Sequence, residues 1–446
     1  MPRALSWAAR FELRQSIKGS MWVLPLLGLV TGALLAQAAI WADSSVRMPV
    51  GWSYSASTAG GVLTAIVGAM VALLGFVVTI GVLVVQQATG TLSPRYMRLW
   101  YRDRLQKVVL ATFAGTFAFA FSLLRRVETD FVPDIGVTTA GVAVAASLGL
   151  LLIYLDRFTH RLRPVAVAAL VRQAGQDVLA RSAEQARARV VVDHPAASGV
   201  PREEPVLVVR AGRSGAVQAV DVPALVAMAE RYDCTIVLIR TVGDFVARGT
   251  PLVEVHRNAL PADGDAHIQG RFALGRERTI DQDPSFALRI LVDIAIKALS
   301  PAINDPTTAV QVLDHIEVFL AGVAGTGLRR QYVLAGRDAT ARVVVPGRDW
   351  AEYLQLAVTE IREYGAASTQ VCRRLRALLD GLVDTVPPDH RPAVLDELRR
   401  LDSSVETAFT DLARRSLARC SDRQGIGGRV ADAGVTAPDG RRTSSA

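Results

Sequence analysis

Four long stretches of this chain carry no charged side chain, and they limit what it can fold into more than any other feature. No Asp, Glu, Lys or Arg occurs between Lys18 and Asp43, between Arg47 and Arg95, between Lys107 and Arg125, or between Asp134 and Asp156. Their apolar residues run all round a helical wheel, whereas the helices of a soluble bundle keep a polar face. At 1.5 Å rise per residue, the apolar segments 22–41, 62–85, 108–124 and 135–155 each reach about 25–36 Å, against a hydrocarbon core of about 30 Å. The expectation is a membrane α-helical region over residues 1–160 with four transmembrane helices. Trp22 and Trp41 sit at the ends of the first, where indole rings favour the headgroup level. That first run is longer than a signal-peptide core and three more spans follow it, so it reads as an uncleaved helix.

Loop charges orient the spans. Arg3, Arg10, Arg14 and Lys18 precede the first; Arg95, Arg98, Arg102, Arg104 and Lys107 lie between the second and third; Arg157, Arg161, Arg163 and Arg172 follow the fourth. The other two loops hold Arg47, and Arg125 and Arg126 offset by Glu128, Asp130 and Asp134. The Lys/Arg bias puts both termini and the soluble portion in the cytoplasm. It also accounts for the net charge of +8 without nucleic acid, since no aromatic platform is interleaved with the arginines. The lipid bilayer is the partner the composition implies.

The second span repeats Gly61, Gly68 and Gly75 every seven residues, with Ala65, Ala69 and Ala72 nearby. Small residues at such spacing let helix backbones approach closely in lipid. The face serves either packing within one chain or a subunit interface or pore lining, where Thr64 and Thr79 would be the polar groups open to a passing ion. After it, Ser93 and Pro94 start an amphipathic segment, 93–107, with Met97, Trp100, Tyr101 and Leu105 on one side and Arg95, Arg98 and Arg102 on the other. This reads as an interfacial helix, and its arginines form a basic inner collar that would favour anions. No Asp, Glu, Lys, Arg or His lies inside the spans, which argues against a proton-coupled pump.

The remainder is an α+β soluble portion. Residues 161–192 continue span four as a helical extension after a Pro bend, and 193–204 read as a linker. A small β-rich unit follows over 205–275. Its "GDFVARGTPLVEV" resembles half of a biotinyl- or lipoyl-type barrel, but no acceptor lysine is present: none occurs between Lys107 and Lys297. A β-barrel-like unit without a carrier role is expected. "GRSGA" at 212–216 lacks the last glycine of a nucleophile elbow and reads as a turn. Residues 280–419 are mainly helical, with a hairpin near 331–346; the tail 420–446 is expected to be disordered. Asp283-Pro284 and Asp305-Pro306 each place an N-cap carboxylate before a proline at the first helical position, so both aspartates read as structural helix caps. Arg289, Asp293 and Lys297 form a charge ladder read as a solvated face.

Chemistry is sparsely signalled. Cys234, Cys372 and Cys420 are far apart, the six histidines lack metal-ligand spacing, and neither a phosphate loop nor a dinucleotide fingerprint occurs. No catalytic, cofactor-binding or metal site is expected.

"QQATGTLSPRYMRLWYRDRLQKVVLATFAGTFAFAFSLLR" and, much later, "DPSFALRILVDIAIKALSPAINDPTTA" resemble the bacterial predicted-membrane-protein family catalogued as domain of unknown function 2254. The resemblance covers roughly residues 10–415. It implies a polytopic inner-membrane protein with four N-terminal helices, and it implies no activity. Two readings of function lead: an oligomeric channel-like protein for small ions, which expects a homo-oligomer, and a membrane-anchored sensor or scaffold whose cytoplasmic domain binds a ligand or partner. An enzyme comes third.

Overall fold

The computed structural model describes residues 6–45, 53–91, 95, 102–161, 163–187, 203–337 and 340–427. A short helix, α1 (Trp7–Gly19), precedes four long apolar ones: α2 (Val23–Ser45), α3 (Ala56–Thr91), α4 (Arg104–Leu124) and α5 (Asp134–Arg161). With α10 (Pro306–Ala324), five helices among the described residues are long and apolar enough to cross a membrane by length and composition. α10 differs from the other four in its surroundings. Val312, Leu313, Ile316, Phe319 and Leu320 on it are buried within the core of the large helical body.

α3 is 36 residues long, which at 1.5 Å per residue is roughly 54 Å and well beyond the thickness of a hydrocarbon core. Its far end projects to the helical body, where Val85 packs against the core. Residues 104–107, read from the sequence as the end of an interfacial helix, are instead the first turn of α4. Asp103 starts that helix by accepting from the Leu105 N–H at 3.0 Å. Of the rest of 93–107, only Arg95, Arg102 and Asp103 lie among the described residues.

The β-rich unit contains β1 (Leu207–Arg210), β2 (Gly215–Val220), α7 (Val222–Arg231), β3 (Thr235–Leu238), β4 (Phe245–Val246), β5 (Pro251–His256), α8 (Gly264–Gln269) and β6 (Phe272–Gly275). The hairpin β7 (Gln331–Ala335) and β8 (Ala341–Pro346) joins it from far along the chain, β8 pairing in parallel with β3. The result is a five-stranded sheet, β1-β5-β3-β8-β7, and a three-stranded sheet, β4-β2-β6, around one core that includes Val209, Ile236, Val253 and Phe272. The described strands do not close into a barrel, because the distant hairpin extends one sheet while β2, β4 and β6 pair among themselves.

The helical body is built from α6 (Pro164–Arg187), α9 (Pro284–Ala298), α10, α11 (Trp350–Gly365), α12 (Thr369–Thr385), α13 (Arg391–Ala408) and α14 (Leu412–Ala418). α6 starts at Pro164, where proline costs no helical hydrogen bond, and buries Val167, Val171 and Val178 in the shared core. A Cβ at Gly175 would lie 2.5 Å from that of Ala287, so glycine allows α6 to sit close on α9. The first residues of the expected disordered tail are folded. Asp422 accepts from the backbone N–H groups of Gln424, Gly425 and Gly427, each at 3.0 Å, and faces the fully buried Arg373 at 3.6 Å. The positive φ of Gly425 and Gly427 lets the chain wrap around this carboxylate. Residues 428–446 lie outside those described.

Candidate functional site

The closest approach between apolar helices is between α2 and α4. Cβ atoms built on Gly28 and Gly32 would stand 2.2 Å from the Ala111 carbonyl oxygen and 2.1 Å from that of Gly115. The common offset makes the two helices parallel, with small residues one turn apart on each, so each backbone lies in the groove of the other. Beside this crossing, a groove of about 550 Å³ opens between α2, α4 and α5, lined by Leu27, Thr31, Leu35, Thr112, Phe119 and Thr139 among others. Two of its hydroxyls are engaged within the protein: Thr31 donates to the Leu27 carbonyl at 2.9 Å, and Thr116 shares a hydrogen bond with Ser147 at 3.3 Å.

The glycines of α3 are placed differently. A Cβ built on Gly61, Gly68 or Gly75 would meet nothing within 4 Å. Thr64 and Thr79 are exposed on the same side, their hydroxyls donating to the carbonyls of Gly60 and Gly75 at 2.7 and 2.9 Å. Leu63, Met70, Val77 and Val84 are buried on the opposite side. Packing within one chain therefore uses the bulky face of α3 and leaves its small-residue face open.

Where the apolar helices meet the helical body, charged side chains tie the two together. Arg102 forms a two-pronged pair with Asp281, at 3.2 Å to Oδ1 and 3.1 Å to Oδ2. Gln15 of α1 completes the cluster, donating to Asp281 at 2.9 Å and accepting from Arg102. Burial by itself raises the Asp281 carboxyl, but the hydrogen bonds and charge of Arg102, with Gln15, reverse this and hold it below the ordinary carboxylate range. Arg95 pairs with the buried Asp293 of α9, which also accepts from Arg289 at 2.8 Å. Arg289 in turn donates to Glu360 of α11 at 2.8 Å, and that bond holds Glu360 below its ordinary range against burial. The ladder Arg289–Asp293–Lys297 is thus no solvated face, since Asp293 is enclosed. Arg95 and Arg102 of the basic collar are engaged by carboxylates; Arg98 lies outside the described residues.

Asp283 accepts from the Phe286 N–H at 3.1 Å and from the Ser285 hydroxyl at 2.6 Å, and Arg278 donates to its other oxygen at 2.6 Å. Asp305 accepts from the Thr308 N–H at 3.0 Å and hydroxyl at 2.5 Å, while Asn304 before it takes φ 49°, a left-handed turn that asparagine tolerates. Both aspartates are fully occupied in starting helices. Among the described residues no three His, Cys, Asp or Glu side chains converge as metal ligands would. Cys372 is buried, and burial pushes its thiol up to about 11, which makes it a poor nucleophile.

Sequence reasoning missed the α2–α4 contact, the carboxylate partners of Arg95 and Arg102, and α1 itself. The first was signalled by Gly28 and Gly32 four apart, matched by Ala111 and Gly115. α1 was signalled by Ser6, whose hydroxyl accepts from the Ala9 N–H at 3.2 Å, ahead of Trp7, Ala8 and Phe11. No sequence signal pairs Arg102 with Asp281.

Uncharacterized protein Mb1321c of Mycobacterium bovis and Uncharacterized protein Rv1290c of Mycobacterium tuberculosis are each 29% identical to the chain over 422 residues, covering 90% of it and 79% of the relative. No solved structure matches. A family model described as a predicted membrane protein (DUF2254) matches residues 18–381, and the chain belongs to that family.

Proposed function

We propose that the protein is an oligomeric, channel-like membrane protein in which copies meet along α3 and small ions pass between them. α2 to α5 cross the bilayer, α10 stays in the soluble body, and the Lys/Arg bias puts that body and both termini on the cytoplasmic side of the bacterial inner membrane. A cysteine placed at Arg47 is then labelled by an impermeant reagent from outside, and one at Ser16 is not; the reverse overturns the orientation.

The observation that carries the reading is the open face of α3. A Cβ at Gly61, Gly68 or Gly75 would meet nothing within 4 Å among the described residues, yet these glycines repeat at the spacing that lets helices of neighbouring copies approach. Thr64 and Thr79 supply the polar groups along that face. Arg95 and Arg102 contribute little free charge at the inner mouth, because Asp293 and Asp281 neutralise them, so strong anion preference does not belong to this reading.

A membrane-anchored sensor or scaffold is the second reading, favoured by those same ion pairs. They fasten Arg95 to α9 and Arg102 to the turn before it, so a shift in the spans is transmitted to the body. Purified oligomer in liposomes separates the two. Potassium or chloride flux above empty vesicles, lost in Gly68→Leu, supports the channel. A verified oligomer with no flux overturns it in favour of the sensor.

A further inference from the structure

One face of α1 is docked on protein and the other is exposed. On one face Ala8 is buried against Ala219 and Ala273, with Trp7 and Phe11 packed alongside. The Ala8 N–H donates to the Gly270 carbonyl at 3.0 Å, Glu12 pairs with Arg213, and Gln15 joins Arg102 and Asp281. The other face presents Arg10, Leu13, Arg14, Ile17 and Lys18, all exposed, with Leu13 at 51% and Ile17 at 46%. At 100° per residue these five fall within an arc of about 140°, opposite Ala8, Glu12 and Gln15, with Trp7 and Phe11 at its flank. No described acidic side chain pairs with Arg10, Arg14 or Lys18.

Position decides what covers this arc. α1 ends at Gly19 and the apolar α2 begins at Val23, with the exposed Trp22 between them. Three residues span at most about 10 Å, so the helix lies at the level of the headgroups where α2 enters the bilayer. Cations alternating with two aliphatic side chains suit that layer: the aliphatic groups dip toward the acyl boundary and the cations meet phosphates.

We infer that α1 is an interfacial helix whose Arg10, Arg14 and Lys18 bind anionic phospholipid headgroups, seating the β-rich unit against the membrane. This is a lipid-binding site independent of any conduction through α3.

The test uses full-length protein carrying Cys420→Ser, so that no native thiol is exposed, and a fluorophore on Leu13→Cys. A second sample carries the label on Leu395→Cys, in the helical body. Each is reconstituted into vesicles of phosphatidylcholine alone or with phosphatidylglycerol, and quenched by a nitroxide on the lipid headgroup. The expected result is quenching at position 13 and little at 395, raised about two- to threefold by the anionic lipid and reduced by high salt. Arg10→Ser with Arg14→Ser and Lys18→Ser removes the anionic increment, whereas Arg10→Lys with Arg14→Lys retains it, which separates charge from loss of fold. Equal quenching at 13 and 395, or equal quenching at 13 in both vesicle types, overturns the inference.

Discussion

Gly32→Ala probes the tightest contact in the apolar region. The added Cβ would stand 2.1 Å from the Gly115 carbonyl oxygen, where ordinary contact begins near 3.4 Å. Because the obstacle is backbone, α2 and α4 must separate by roughly an ångström or more, and overpacking of this kind costs about 1–3 kcal/mol. Gly28→Ala meets Ala111 at 2.2 Å and belongs to the same class. Gly149→Ala on α5 is the control: a Cβ there meets nothing within 4 Å, so a change within about 0.5 kcal/mol is expected. Unfolding by SDS titration in mixed micelles, followed by tryptophan fluorescence, measures the difference, since Trp22 and Trp41 flank the contact. If Gly32→Ala is as mild as Gly149→Ala, the parallel close crossing of α2 and α4 is wrong.

Three further outcomes follow from the same structure. The Asp281 carboxyl is held below its ordinary range, so its stabilisation is complete above the unfolded value near 3.9 and is lost as pH falls through the folded one; Asp281→Asn should therefore lower the melting temperature at neutral pH and flatten its fall in acid, and an unchanged acid profile would refute this. Arg373→Ala removes a fully buried cation from Asp422 and should cost about 3–5 kcal/mol, with limited proteolysis now cutting near residue 420; an uncut tail would show that the pair does not hold it. Asp305→Ala should cost about 1 kcal/mol in thermal melting through loss of the helix cap, with Asp305→Ser restoring most of it; no restoration by serine would count against capping.

What the sequence makes legible divides along physical lines. Charge-free runs announce apolar helices because burying an ion in lipid is prohibitive, and Asp-Pro announces a helix start because both residues act locally. Long-range pairing has no such local signature. β8 joins β3 across roughly a hundred residues, which is why a sheet extension reads as a separate hairpin and the strands before it as half a barrel. Arg289, Asp293 and Lys297 look like a solvated ladder until Arg95 and Glu360 arrive from other elements to enclose Asp293. Asp422 shows the reverse error: a Gly-rich tail reads as disordered, yet its glycines supply the turns and N–H groups that wrap a carboxylate over Arg373. Small-residue faces are the hardest case. Gly28 and Gly32 are paired and Gly61, Gly68 and Gly75 are open, and spacing alone does not distinguish them.

The most direct test of the proposal is cysteine cross-linking along α3 in native membranes. Gly68→Cys and Gly75→Cys, in Cys420→Ser protein, are oxidised mildly beside Val142→Cys, which is also exposed, at 65%, but lies on α5. Meeting of copies along α3 predicts disulfide-linked dimers at 68 and 75 and none at 142. Absence of dimers at 68 and 75, or equal yields at all three positions, would contradict it.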